Sequence, residues 1–409
     1  MKLISIGMSL LFAGVSYADV PCKERIESYQ DVIACAETRS PEIQSAQLEL
    51  EKAKASVGAA GQWRNPEFSA ERAQGHLGDE YRSETGLSLG IPIELGGKIS
   101  ARTAVAEGNV GASEARLFEA RARVRAQTLL RLYRLRQAYH EQEIIDEAIG
   151  TFSKLVAQYS KRPNLSPEQQ VSSSVYQLSK SEYILKRSET SDEIASLDAY
   201  FKLNLGFTAE QLKKYLPASP KAWPSLQSSK AMGLSPRQRV LQAEVDTANA
   251  ELSLAKSEAW PTLTVGPSVK MQLEAGQSAN LWGVNMSLPL PLFSLNGGAK
   301  ATATAGVMLS EARLQVGVRD QALRREQLVR LYDDSVKVLG GSSSHEEIEK
   351  RHSDAERMFA RGIIPSALVI EAHRTSLDLE RSRHERELKT LEALLEIYTL
   401  EGTILETNL

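Results

Sequence analysis

The sequence predicts a mainly α-helical chain with a small β part, laid out as two duplicated halves. Three observations carry that expectation. Residues recur at an offset of 195, the stretch from Lys98 to about Tyr159 holds no proline, and four short segments alternate apolar with polar residues.

The repeat comes first, because self-similarity at a fixed spacing decides the architecture. Ser40-Pro41 returns as Ser235-Pro236, and the same offset pairs Gln47 with Gln242, Glu49 with Glu244, Ala53 with Ala248, Ala55 with Ala250 and Pro66 with Pro261. Glu114-Ala-Arg-Leu117 returns as Glu311-Ala-Arg-Leu314, and Arg131-Leu-Tyr133 as Arg330-Leu-Tyr332. The halves are placed at 40–206 and 235–407, with a connector over 207–234 that carries Pro217, Pro220 and Pro224.

Residues 1–18 read as a secretory signal, with Lys2 as the only early charge, an apolar run over 3–15, and small residues at Ser16 and Ala18. That run is shorter than the ~20 residues a bilayer-spanning helix needs, and no later segment approaches that length. An exported chain of this kind is a soluble periplasmic protein, a secreted protein, or an outer-membrane strand protein. The net charge of −3 gives no reason to expect nucleic acid. Cys22 and Cys35 lie in the segment 19–39 and can pair in an oxidising compartment, given a turn between them. One continuous helix would hold them about 20 Å apart. Lipidation of Cys22 is the alternative, although Asp19-Val20-Pro21 lacks the small and apolar residues that lipoprotein processing favours.

Helix starts are marked by Ser40, Ser166 and Ser235, each followed by proline, and Ser166…Gln169, Ser235…Gln238 and Ser344…Glu347 complete capping boxes. A helix over Lys98 to Tyr159 would reach on the order of 90 Å, which calls for coiled-coil-like packing. Leu388, Leu391, Leu395 and Tyr398 supply a seam at 3-4-3 spacing. Gly340-Gly341-Ser-Ser-Ser344 predicts an interruption of the second long helix, with none at the matching place near Glu141.

The alternating segments are 66–74, 86–95, 262–274 and 282–290. Period two over ~9–11 residues fits a strand crossing an outer membrane and fits a half-buried strand of a soluble sheet equally well. Trp63 and Trp260, each just before its half's first strand, favour the membrane, where aromatic residues gather at the interface. Strand-to-helix joints then fall at Pro92, Gly96 and Gly97, and at Pro289, Pro291, Gly297 and Gly298. Proline fixes φ there, and paired glycines supply conformations that other residues avoid. Four strands cannot close a barrel, so strands in lipid require several copies of the chain.

This pattern resembles the TolC-type outer-membrane factors, and Ile93-Glu-Leu-Gly-Gly-Lys98 looks like their CzcC-type heavy-metal branch. Phe359-Ala-Arg-Gly-Ile-Ile-Pro-Ser366, followed by Leu368, Glu371, Ala372 and Leu377, resembles the family's periplasmic turn. The resemblance implies a homotrimer sharing a twelve-stranded outer-membrane barrel, continued by a helical tunnel into the periplasm of a Gram-negative cell. It implies a periplasmic adaptor and an inner-membrane RND-type pump as partners, and heavy-metal cations as cargo. A drug or type I secretion conduit shares the architecture, and a soluble periplasmic coiled-coil scaffold is the reading without a membrane.

By the same resemblance Arg162, Asn164, Leu165 and Ser166, with Arg361, Gly362, Ile363, Ile364, Pro365 and Ser366, are adaptor-facing tips. Glu371, Leu368 and Glu168 are tunnel-entrance candidates; Leu368 stands where the family often carries an acid. No nucleophile–base set or phosphate-binding loop is present, so no enzyme activity and no cofactor are expected. His345 and His352 are read as solvated rather than metal-binding. The arginines at 121, 123, 125, 131, 134 and 136 are read as a solvated or intersubunit face, with a lumen-lining role as the alternative.

Overall fold

The computed structural model describes residues 26–78, 80–220, 222–226, 233–274 and 277–407. The signal expectation and Cys22 fall outside them; Cys35 is disulfide-bonded. Two short helices open the described chain, α1 (Tyr29–Arg39) and α2 (Pro41–Ala60). Strands β1 (Glu67–Leu77) and β2 (Glu80–Glu94) lead into α3 (Lys98–Ser160) and α4 (Pro167–Leu205). After α5 (Ala209–Leu212) the order repeats as α6 (Pro236–Ser257), β3 (Thr262–Glu274), β4 (Gln277–Ser287), α7 (Gly297–Gly341), α8 (His345–Ala360) and α9 (Ser366–Leu400).

The helix starts follow the caps written in the sequence. Ser166, Ser235 and Ser344 each accept from the backbone of the third helical residue, whose own side chain returns the bond. Ser40 precedes Pro41 but makes no side-chain cap. α3 runs 63 residues without a break, about 95 Å at ~1.5 Å per residue. Its buried positions lie on several faces, because α2, α4, α6 and α9 all pack on it. The main core gathers Leu129, Leu132 and Leu135 of α3, Phe201 and Leu205 of α4, and Leu391 and Leu395 of α9. A smaller cluster nearer the tips holds Phe152, Tyr176, Tyr183 and Leu377. The seam expected on α9 is therefore present, with Leu388 and Tyr398 packed at its margin.

The described part of the connector is more ordered than its prolines imply. Thr208 caps α5 with a full capping box, a 3-10 turn follows at Lys213–Tyr215, and Trp223 packs against the core. Its carbonyls are tied down by Tyr332, which donates to Pro224 O at 2.7 Å, and by Arg136, which donates to Pro217 O at 3.4 Å.

The four strands form one antiparallel sheet in the order β1-β2-β3-β4. β3 spans the expected residues, β2 starts earlier than expected at Glu80, and β4 stops at Ser287. Leu288 and Leu290, expected on that last strand, instead lie in an irregular stretch over 288–296. Pro289 and Pro291, which cannot donate to a ladder, account for the early stop.

Candidate functional site

All four strand ends that meet helices lie at one end of the sheet: the starts of β1 and β3 and the ends of β2 and β4. The four helices that adjoin the strands, α2, α3, α6 and α7, therefore meet the sheet at the same end, and the hairpin turns occupy the other.

The register sorts the two faces. Phe68 pairs with Leu89, Ile91 with Val265 and Val265 with Met286, while Leu87 pairs with Val269 and Val269 with Trp282. Directly opposed residues share a face, so these form one apolar surface, and Trp282, Val284 and Met286 on it are 82, 74 and 67% exposed. The other face is polar. Lys270 meets Glu84 at 2.9 Å, Arg82 pairs with Glu274, and Ser69 and Ser88 share a 2.6 Å hydrogen bond. Pairing of β2 with β3 lapses around Gly90 and Gly266 and resumes in the same register. A Cβ on Gly266 would stand 1.6 Å from the Leu89 carbonyl oxygen, so only glycine fits.

A strand of 11 residues is ~36 Å long and, tilted by about 45°, covers ~25 Å, the height of the apolar band on outer-membrane barrels. Trp63 and Trp260 are exposed at the helix end of this band, and Phe293 in the irregular stretch is fully exposed. β1 and β4 each pair on one side only. Among the described residues no helix is long and apolar enough to cross a membrane.

The joints differ between the halves. Gly96 and Gly97 both adopt left-handed φ, +73° and +71°, and the Gly96 Cα faces the Trp260 ring so closely that a Cβ would sit 2.3 Å from it. In the second half the left-handed residue is Asn296, at φ 57°, anchored by its side-chain amide donating to Ala255 O at 2.9 Å. Gly297 and Gly298 are the first two helical residues and have open space around them. The expectation that this second glycine pair turns the chain is corrected: asparagine does it, because its short polar side chain tolerates the left-handed region and bonds locally. Pro92 sits buried near the end of β2, and Pro289 and Pro291 are exposed.

At the far ends of the helices, Arg162 lies over the Tyr159 ring at 5.5 Å, Asn164 and Leu165 follow in the turn, and Ser166 caps α4. In the matching turn Arg361 closes α8, Gly362 takes φ +71°, and the amide of Ile363 donates to Met358 O at 3.0 Å. Ile363 is exposed, Ile364 half-buried, and Pro365 precedes the first residue of α9, Ser366. Leu368, Glu371 and Glu168 are all exposed, whereas Val369 between the first two faces inward. Thr375 donates to Glu371 at 3.4 Å.

Two exposed stripes escaped the sequence reading. Val171, Leu178 and Leu185 on α4, and Leu309, Val316 and Leu323 on α7, are each more than half exposed and recur every seven residues. Their spacing was the available signal, since a repeat of seven is that of a coiled-coil seam.

The arginine face of α3 is corrected as well. Arg121 is exposed, but the other five make contacts within the chain: Arg123 pairs with Glu42 at 3.1 Å, Arg125 with Glu37 at 2.8 Å and Arg136 with Glu387 at 2.7 Å. Arg134 holds both Glu141, at 2.7 Å, and Glu193, while Arg131 lies 3.9 Å over the Tyr200 ring. Their partners sit on α1, α2, α4 and α9, which spreads them around the helix.

His352 is buried, and His345 is only partly exposed. The break between α7 and α8 occurs where expected, and α8 packs on α9. His352 shares a 2.9 Å hydrogen bond with the buried His373. His373 Nε2 lies 3.3 Å from Glu356 without the alignment of a hydrogen bond. His345 Nδ1 bonds Glu380 at 2.7 Å, and the His140 ring stands edge-on to His345 at 4.1 Å. His384 bonds Glu141 at 2.9 Å. Burial opposes ionisation of Glu141, but hydrogen bonds from His384 and Arg134 outweigh it and hold the carboxyl at about 2. Burial, followed by the charge of His345, pulls His140 down to about 4. His140, His373 and His384 were missed because they are remote in sequence and meet only through helix packing.

A family model described as outer membrane efflux protein matches residues 32–163. The cobalt-zinc-cadmium resistance protein CzcC of Cupriavidus metallidurans is 26% identical over 268 residues, 63% of this chain and 61% of that protein. The chain thus spans about three fifths of that relative's length. The nickel-cobalt-cadmium resistance protein NccC of Alcaligenes xylosoxydans xylosoxydans is 24% identical over 335 residues, 78% of this chain and 73% of that one. The Campylobacter jejuni CmeC outer membrane channel superposes with a TM-score of 0.69 at 14% identity, covering 92% of this chain and 86% of its own. CusC, at TM-score 0.62 and 14% identity, covers 92% and 95%.

Proposed function

We propose that the chain is a TolC-type outer membrane efflux protein, as the family match over 32–163 and the likeness to CzcC and NccC support, and that three copies form a passive conduit across the outer membrane and periplasm. Each copy contributes four strands to a twelve-stranded barrel, and the helices continue it as a tunnel. The polar face with Lys270, Glu84, Arg82 and Glu274 lines the lumen, and the face with Trp282, Val284 and Met286 meets lipid. The observation that carries this reading is the open sheet itself. β1 and β4 have unpaired edges beside an exposed apolar face, and an unpaired backbone group in lipid costs several kcal/mol. Three sheets joined edge to edge remove every such edge.

The cargo we propose is heavy-metal cations, by likeness to CzcC and NccC, moved by an inner-membrane RND-type pump through a periplasmic adaptor. The adaptor seats on the turns at Arg162–Ser166 and Arg361–Ser366, and Leu368 and Glu371, with Glu168, narrow the entrance. The duct performs no chemistry, so the export energy comes from the pump. Deleting the gene should lower tolerance to cobalt, zinc, cadmium or nickel while leaving detergent and antibiotic sensitivity near the parent level. Unchanged metal tolerance contradicts the cargo assignment, and recovery of the protein in a periplasmic extract without detergent contradicts the conduit.

A further inference from the structure

We propose that His140, His345, Glu380 and His384 form a binding site for a divalent cation of borderline softness, such as Zn2+ or Co2+, at the break between α7 and α8. The site stands on α3, α8 and α9 alone and goes beyond the conduit reading, which survives if no cation binds here.

The three helices bring four ligands of two kinds together. Ligand atoms of His140, His345 and Glu380 all lie within 4.8 Å of one another, and His384 Nε2 lies 3.7 Å from Glu380 Oε2. Zinc bonds of ~2.0–2.2 Å in a tetrahedral arrangement hold ligand atoms roughly 3.3–3.6 Å apart, so small side-chain movements close the set. His345 Nδ1 and Glu380 Oε1, now 2.7 Å apart around a shared hydrogen, would separate slightly as the cation replaces it.

Hydrogen-bond bookkeeping points the same way. Glu141 Oε1 accepts from Arg134 at 2.7 Å and meets His384 Nδ1 at 2.9 Å, which turns His384 Nε2 toward Glu380. Glu380 is 2% exposed; its Oε1 is held by His345, and its Oε2 has no hydrogen-bond partner. A buried oxygen without a partner is costly, and a cation between it and His384 Nε2, 3.7 Å away, would satisfy it. A carboxylate that fixes the far nitrogen of a histidine is also the usual outer support of a metal-bound imidazole. Three imidazoles and one carboxylate select zinc, cobalt or nickel over magnesium or calcium.

The break is what places His345. Ser344 caps α8, and Arg383 Nη1 clamps the preceding loop through Leu339 O at 3.3 Å, Ser342 Oγ at 2.8 Å and Ser343 O at 3.1 Å. His345 then begins α8 directly over Glu380, with its side chain 39% exposed as an entry path. A cation bound there staples α8 to both α3 and α9.

The test uses the full chain, purified in detergent and stripped with a chelator, then titrated with Co2+ and followed by visible absorption. The expected result is one tightly held Co2+ per chain with the strong absorption of a four-coordinate nitrogen-rich site, displaced by Zn2+. His345→Ala and His384→Ala should each weaken it by about 10–100-fold, and His352→Gln, in the neighbouring histidine pair, should not. Zn2+ should also raise the melting temperature of the parent but not of His345→Ala, a truncation at a partly exposed position that leaves the helix packing in place. No retained Co2+, or retention equal in parent, His345→Ala and His384→Ala, overturns the proposal.

Discussion

The two long helices that follow the strand pairs hold matching places in the element order and share little else. α3 is continuous for 63 residues and is buried along its length, at Leu117, Val124, Leu132, Ile145 and Phe152 among others. α7 stops after 45 residues and buries only Leu328, Tyr332, Ser335 and Leu339. The remainder of α7 keeps Met308, Leu309, Val316 and Leu323 exposed. The difference follows from what packs on each: α3 is covered by α2, α4, α6 and α9, whereas α7 touches α6 and α9. One helix is the spine of a single copy, and the other leaves an apolar stripe bare, which in the proposed assembly another copy covers.

The largest test of that contrast places charges in the exposed stripes. Leu178→Asp with Val316→Asp should abolish multi-copy assembly in detergent, read by light scattering after size exclusion, with helical content retained. The same change at Leu132 of α3, which is fully buried, should instead abolish folding. Replacement of Phe152 by alanine in α3 should cost about 3–5 kcal/mol, whereas Leu309→Ala should leave the stability of a single copy nearly unchanged.

In the sheet, Gly266→Ala should abolish any heat-resistant multi-chain band that the parent gives on gels, because its Cβ meets the Leu89 carbonyl oxygen at 1.6 Å. Gly283→Ala, whose nearest neighbour is Ser268 Oγ at 3.4 Å, should be tolerated. The joints give a smaller and opposed pair. Gly96→Ala should destabilise by about 1–2 kcal/mol or more through its left-handed backbone alone, with the Trp260 clash in addition. Gly297→Ala, helical and unobstructed, should stabilise by about 0.5–1 kcal/mol. Thermal midpoints of the two variants check the sign.

The smallest expected effect is a slope with pH. Burial, then the charge of His352, lowers the pKa of His373, so its stabilising neutral form is fully present above about pH 6.5 and its contribution is lost as pH falls toward the folded value. Glu147, which faces the same group with Glu356, is raised by burial and then by Glu356. It gains stability as pH falls through its raised pKa, so the two slopes oppose each other. Glu147→Gln removes the second, and the variant should lose stability on acidification more steeply than the parent; an unchanged slope would show that solvent screening cancels the Glu147 contribution.

Much of the frame was legible in the sequence because it is local. Ser-Pro starts and capping boxes fix helix beginnings, the period of two marks the strands, and Gly340-Gly341 marks the break. What was not legible depends on distant chain segments meeting. The partners of Arg125 and Arg136, at Glu37 and Glu387, are 88 and 251 residues away. The histidine groups assemble from α3, α8 and α9, and nothing near His345 in sequence announces Glu380. The use of Asn296 in place of a glycine depends on where α6 ends, since Ala255 supplies the carbonyl that anchors it.

In the proposed assembly one copy cannot finish its own sheet or cover its own α7. Native mass measurement of the unmodified protein, extracted gently from outer membranes, tests it most directly. A particle of three chains is predicted. A stable, monodisperse single chain under those conditions would contradict the account.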